Sequence, residues 1–406
     1  MTAGRPSLPS APPPASTELR ALERLVRERV RHPTGGVRSL RATVALNLGD
    51  HGGLSLRFDR GTVSLATELA EAPDTTIDTD VATITEVMEG TRSGVDAFLG
   101  GRLRVRGNLA LSLRLDSLFD GRRRPDHFPR AGSALVWGVP TFYLEAGRGP
   151  PVVLLHGLGA TNASVLPILV ELARDHRVLA PDLPGFGESG KPLRSYHAAF
   201  FARWLRGFLD VVGIDRTHLV GNSMGGRVAI ETGLRAPERV DRMVLLTPSP
   251  AFIRHREFVR VVRVLRPELA LLPVPLSHRQ VVWSIKRMFS RPARLPGPWY
   301  EAAADEFLRV FGTPRGRIAF FSAARQIYLE EPYGDGGFWD RLPGLRRPAL
   351  FVWGQHDRLV PAAFARHVER ALPGAASVVL RDCGHVPQYE LPEETHRLVR
   401  GFLEAG

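Results

Sequence analysis

Six short apolar runs restrict the fold of this chain more than any other feature: PVVLLHG, HRVLAPDLPG, THLVGNSMGG, RMVLLTP, ALFVWGQHD and ASVVLRDCGH, in that order. Each is a nearly unbroken stretch of Val, Leu and their like, closed by a turn and followed by a helix-compatible segment. Strands that are half exposed alternate apolar and polar residues, whereas strands covered on both faces lose that alternation. Strand, turn and helix repeated in this way predict a doubly wound, mostly parallel α/β sheet over residues 133–406. Residues 250–340 interrupt the pattern and predict a long helical cap.

The first part of the chain has a different rhythm. Residues 1–17 are rich in Pro, Ala and Ser with no apolar core, which predicts a disordered leader and no secretion signal. TELRALERLVRERVRH then carries Leu19, Leu22, Leu25 and Val26 near helical spacing, with Thr17 as the expected N-cap. Next, the triplets Val44, Leu46, Leu48 and Leu54, Leu56, Phe58, and the pair Val63, Leu65, alternate between the turn formers GDHGG and DRG, predicting an antiparallel meander. TDVATITEVMEG returns to helical spacing, with Asp80 as cap and Gly90 as stop. RLRVRG reads as a strand, and the leucines of NLALSLRLDSLF fit either period. An α+β domain over residues 18–120 follows, joined by a charged, Pro-bearing linker at 121–132.

Within that domain, Ser93, Gly94, Ala97, Phe98, Gly101, Leu103, Val105 and Gly107 fall in a Ser-Gly step and an Ala-Phe-x-x-Gly-x-Leu-x-Val-x-Gly core. The stretch resembles the C-terminal half of a sterol carrier protein type lipid-binding domain. The resemblance implies a hydrophobic tunnel between sheet and helices that holds an acyl chain or sterol. The residues themselves also leave a solidly packed small core open as the alternative.

Composition narrows the functional classes. The net charge of +12 invites a nucleic-acid reading, but only Lys191 and Lys286 are lysines and all other basic residues are arginines. Such one-sided usage reflects composition rather than a patch, and no zinc-finger, basic-zipper or ribonucleoprotein pattern accompanies it, so no nucleic-acid partner is expected. A single cysteine, Cys383, allows no internal disulfide and fits the cytoplasm. Cys383 itself is expected to be a packing residue.

The chemistry centres on Gly221-Asn222-Ser223-Met224-Gly225, directly after an apolar run. A nucleophile on a sharp strand-to-helix turn needs small residues two places to either side, and the following helix offers its first amides to a developing oxyanion. Asp357 in LFVWGQHDRLVP and His385 in LRDCGHVPQ each follow a strand, so both fall at the carboxyl edge of the sheet. Upstream, His156-Gly157-Leu158-Gly159 closes another strand. Its Leu158 amide and that of Met224 are the expected oxyanion donors.

With DLPGFGESG as a fourth motif, the second half resembles the α/β-hydrolase fold family, whose order is Ser, Asp, His. The resemblance implies that His156 is structural and that no metal or organic cofactor is needed. Gly185, Gly187 and Gly190 spell a dinucleotide motif, and GFGESGK nearly spells a P-loop. Pro192 stands where a magnesium-binding Ser or Thr would be needed, and Pro184 opposes the strand-loop-helix context.

A serine at the elbow favours acyl chemistry. Between Arg254 and Arg294, ten basic residues face only Glu257 and Glu268 and are interleaved with apolar stretches. They read either as solvated cap helices or as a basic, apolar lid that touches anionic membrane. The expected function is a serine hydrolase of a hydrophobic, lipid-like ester or thioester, with Ser223 as nucleophile, His385 as base and Asp357 as its orienting acid. Two alternatives stay open: a lipid-transfer protein with an inactive hydrolase half, and a hydrolase of carbon–carbon bonds in ring-cleavage products. GNSMGG resembles the elbow of that last group, whereas GLGATN and Val386 depart from the group's Ser-Gly-Pro-Gly-Ala loop and its Trp after the catalytic His.

Overall fold

The computed structural model describes residues 17–30, 40–118, 125–251, 262–264, 267–272 and 275–405. The expected leader at 1–17 lies outside them except for its last residue, as do parts of the linker and cap. Helix α1 (Thr17–Val30) already contains Thr17, so that residue is the first helical one rather than its cap. Leu19, Leu22 and Val26 bury its inner face.

Strands β1 (Arg41–Asn47), β2 (Gly53–Asp59) and β3 (Thr62–Ala66) form the antiparallel meander. Strands β4 (Thr75–Thr79) and β5 (Leu103–Gly107) then extend the sheet past β1, giving the order β3-β2-β1-β4-β5. Because β4 pairs with β1 in parallel, the sheet is mixed. Helix α2 (Val81–Glu89) starts where Asp80 accepts from the Thr83 amide and stops at left-handed Gly90. Ser93 caps α3 (Gly94–Leu99) through the Val95 amide. Gly107 has a φ of +87° and lies so close to the Asp74 carbonyl that a Cβ could not fit. The ambiguous leucine segment is helix α4 (Leu109–Leu118).

Arg130, Ala131 and Gly132, expected in the linker, instead open strand β6 (Arg130–Val136), which pairs with β7 (Val139–Ala146). Trp137 and Gly138 between them both have positive φ, as a tight hairpin turn requires. The six apolar runs are β8 (Pro151–Leu155), β9 (Arg177–Pro181), β10 (Thr217–Asn222), β11 (Val240–Leu246), β12 (Ala349–Gly354) and β13 (Ala376–Leu380). The eight-stranded order is β13-β12-β11-β10-β8-β9-β7-β6, parallel from β13 through β9.

Both faces of this sheet are covered. Val152 and Leu154 join a cluster with α5 (Leu166–Leu172) and the C-terminal helix Pro392–Glu404. Val153 and Leu155 join another with α6 (Ala198–Val211) and α7 (Met224–Arg235). The cap contributes helices His278–Lys286, Gly297–Phe311 and Pro314–Tyr328. Asp305 on the second of these fastens the N-terminal domain, accepting from Arg106 Nε and the Gly107 amide, each at 2.9 Å. Among the described residues no helix is long and apolar enough to cross a membrane.

Candidate active site

Four strand ends bring the expected residues to one edge of the sheet. Ser223 follows β10 directly and opens α7 with φ +54° and ψ −115°. A non-glycine residue held there is strained, which the surroundings must enforce. They do so through the Ser223 amide, which donates to Leu246 O at 2.9 Å, and its carbonyl, which accepts from Ser249 N at 3.0 Å. The glycines have a steric cause. A Cβ on Gly221 would lie 2.4 Å from the Gly225 backbone, and one on Gly225 would lie 2.1 Å from Leu155 O.

Asp357 and His385 meet. His385 Nδ1 lies 2.7 Å from Asp357 Oδ2, and both side chains are buried. The other carboxylate oxygen accepts from the Leu359 and Val360 amides at 2.8 and 2.9 Å. A carboxylate so held fixes the imidazole with its proton on Nδ1 and leaves Nε2 to accept. The His385 backbone is clamped to the elbow as well. Its carbonyl accepts from Asn222 Nδ2 at 3.1 Å and from Thr247 Oγ1 at 2.9 Å, and its amide donates to Met288 O in the cap at 2.7 Å.

The Ser223 hydroxyl is engaged elsewhere in this resting arrangement. Its Oγ lies 3.2 Å from Ser249 Oγ, and Ser249 in turn donates to the Tyr328 hydroxyl at 3.1 Å. Since a serine has one proton, Ser223 is then the donor to Ser249. Among the described residues no hydrogen bond joins Ser223 Oγ to His385. Apo sites of this kind are often loose and tighten only around substrate. Ser249 and Tyr328 were not legible from sequence: Ser249 sits in a TPSP turn, and Tyr328 ends a cap helix distant in the chain. Burial pushes the Tyr328 phenol above its usual range.

The two expected oxyanion amides flank this hydroxyl's turn. Leu158 follows β8 by way of His156 and Gly157, and a Cβ on Gly157 would sit 3.4 Å from Ser223 Cβ. Among the described residues neither the Leu158 nor the Met224 amide donates a hydrogen bond. His156 is wholly buried, with Nδ1 2.8 Å from Gly157 O and Nε2 accepting from the Leu183 amide at 2.9 Å. Burial lowers its pKa to about 4. Both nitrogens are spent on backbone, which suits a structural residue.

The glycine motif around Gly187 is likewise committed to its own loop. Asp182 Oδ1 accepts from Asn162 N and Oδ2 from Glu188 N, both at 2.8 Å, and burial pushes its pKa up to about 7. Lys191 Nζ donates to the Gly187 and Ser189 carbonyls, so it holds the turn. Cys383 is buried, and burial raises its thiol pKa.

Comparison with known proteins agrees with both halves. Residues 150–392 match the alpha/beta hydrolase fold family, and residues 23–120 match the SCP-2 sterol transfer family. A pimeloyl-[acyl-carrier protein] methyl ester esterase from Aeromonas salmonicida is 30% identical, covering 63% of this chain and 96% of that one. A 2-hydroxy-6-oxo-6-phenylhexa-2,4-dienoate hydrolase from Burkholderia cepacia is 28% identical over 64% of this chain and 90% of its own. Among solved structures, a bacterial membrane phospholipase A superposes with a TM-score of 0.59 at 27% identity, over 68% of this chain and 86% of that one. The chain belongs to the α/β-hydrolase fold family and carries an N-terminal SCP-2 sterol transfer domain.

Proposed function

We propose that the protein is a serine hydrolase of a hydrophobic, lipid-like carboxylic ester or thioester. The observation that carries the reading is the Asp357–His385 pair at 2.7 Å, tied through Asn222 and Thr247 to an elbow that holds Ser223 at positive φ. In the reaction Ser223 turns from Ser249 to His385, gives its proton to Nε2 and bonds to the carbonyl carbon. The Leu158 and Met224 amides receive the oxyanion. The leaving alcohol or thiol takes the proton from His385 as its bond to the acyl carbon breaks. Water, deprotonated by His385, then releases the acid and restores Ser223.

The lipid-like substrate is supported by the fused domain and by the cap, where Leu271, Leu272, Leu276 and Trp283 are exposed beside Arg279 and Arg287. Such a surface suits peripheral contact with an anionic membrane. The test is labelling by a fluorophosphonate probe together with turnover of p-nitrophenyl esters of increasing chain length. Wild-type protein should label and Ser223→Ala should not, with turnover falling on the order of 10⁴-fold or more. An unlabelled wild type would leave a lipid-transfer protein with an inert hydrolase half. The likeness to the dienoate hydrolase favours a second reading, carbon–carbon cleavage of a vinylogous diketone. Turnover of such a diketone with none of the esters would establish it instead.

A further inference from the structure

His385 is followed by Val386 and the short helix Pro387–Glu390, whose proline stands at the first position, where a missing amide costs nothing. Gln388, Tyr389 and Glu390 are all buried. Two of them hold the hydrolase core: Gln388 Nε2 donates to Ser164 O at 3.0 Å, and the Tyr389 hydroxyl donates to Ala163 O at 2.7 Å. Glu390 turns back toward the base. Its Oε2 accepts at 2.7 Å from the amide of Gly384, the residue before His385, and at 3.1 Å from the Ser290 amide. Its Oε1 accepts from the Arg291 amide at 2.7 Å. Ser290 and Arg291 belong to the cap, between the helices His278–Lys286 and Gly297–Phe311.

Among the described residues Glu390 forms no ion pair. A carboxylate buried without a cation is costly unless its oxygens are satisfied in another way. Three amides do so here, and hydrogen bonds to a charged acceptor are the stronger kind. The contact they enclose is tight: a Cβ on Gly384 would lie 2.3 Å from Met288 O and 2.8 Å from Ser290 N. With the bond from His385 N to Met288 O, one carboxylate fastens the loop that carries the base to the cap. Asn222 and Thr247 hold the same residue from its carbonyl side. Because Ser223 and His385 are not bonded at rest, the reaction requires the two to approach, and small errors in such an approach cost rate.

We propose that Glu390 is a positioning residue for His385: its carboxylate sets the base by way of the Gly384 amide and ties that setting to the cap segment Met288–Arg291. The proposal rests on the hydrolytic reading of Ser223, Asp357 and His385. The charge is needed because an isosteric amide has one acceptor oxygen and cannot serve donors on both sides.

The test compares wild type with Glu390→Gln in the full-length protein. Fluorophosphonate labelling of Ser223 is followed in time, so that its rate constant and its final extent are read separately. The variant should label about tenfold or more slowly but to the same extent, since misplacement slows each molecule whereas partial unfolding removes molecules. A reduced extent with an unchanged rate constant would show a merely structural role and overturn the proposal. An unlabelled wild type would sink the hydrolytic reading instead. The proton between His385 Nδ1 and Asp357 Oδ2, followed by NMR, then decides about Glu390: a resonance displaced or lost in the variant upholds the positioning role, and the same resonance in both proteins refutes it. Should Glu390→Gln fail to fold, hydrogen exchange of the wild type serves. Joint protection of the Gly384, Ser290 and Arg291 amides is expected, and free exchange at Ser290 and Arg291 would overturn the tie to the cap.

Discussion

Ser223 is held in a proton chain that points away from its expected base, toward Ser249 and Tyr328. The chain gives one orientation to the hydroxyl of a residue whose backbone is strained. Replacing Tyr328 by Phe removes the hydroxyl to which Ser249 donates and should lower kcat/KM by about five- to tenfold, the worth of one neutral hydrogen bond. Ester turnover unchanged in Tyr328→Phe would remove Tyr328 from the site. His156 offers a test through pH. Its pKa is depressed from 6.5 to about 4 by burial, so below 6.5 the unfolded chain takes up a proton that the folded chain refuses. Stability then falls as pH drops from 6.5 to 4, by up to about 3 kcal/mol, and this loss is complete below 4. Asp182, with its raised pKa, acts in the opposite sense over much of the same window. Comparing His156→Gln with wild type isolates the histidine: urea titrations should show a shallower pH dependence between 4 and 6.5 in the variant. Parallel curves would show that His156 titrates normally.

At the scale of elements, the hydrolase half repeats one device: a buried parallel strand ends and a residue of the candidate site follows within five positions. β8 delivers Leu158, β10 Ser223, β12 Asp357 and β13 His385. The cap helix His278–Lys286 is built differently. It begins at a capping box formed by Ser277 and Gln280, buries Val281 and Val282, and leaves Trp283 facing outward with Arg287 stacked 4.7 Å from its ring. An outward indole flanked by arginine suits a membrane interface. Sedimentation with vesicles containing anionic lipid should show Trp283→Ala binding about tenfold more weakly, the cost of one large side chain withheld from the interface. Equal sedimentation of both proteins would argue that this face meets only water.

For the whole molecule, the decisive contact is between domains. Asp305 of the cap is mostly buried and accepts from the side chain and backbone of β5 at the end of the N-terminal sheet. Asp305→Ala should make local opening there easier by about 1–3 kcal/mol, the usual cost of losing a hydrogen-bonded charge. Hydrogen exchange at the Gly107 amide should accelerate about tenfold or more, while exchange in β10 stays as it was. Uniform exchange across both domains would mean that docking rests on apolar packing alone.

Much of this was written in local pattern. Continuous apolar runs specified buried parallel strands because a strand covered on both faces has no polar side to show. Asp80 and Gly90 specified helix ends because a side chain, or the lack of one, settles backbone groups a few residues away. The elbow glycines were legible for the same reason, each answering a clash with backbone nearby in space and fixed by the motif. The hairpin at Trp137-Gly138 was not, since its turn carries no Asn-Gly signal. Nor was the parallel pairing of β4 with β1, the partnership of Ser249 and Tyr328, or the mostly apolar cavity of about 510 Å³ that Phe98 and Trp299 line between the two domains. Each of these joins residues whose separation in the chain says nothing of their distance in space. Local sequence set which elements form and which residues stand at strand ends, because those depend on neighbours within a few residues. Only the tertiary structure decided which hydroxyl Ser223 faces at rest and where that cavity lies, because both depend on surfaces that meet only when the domains dock.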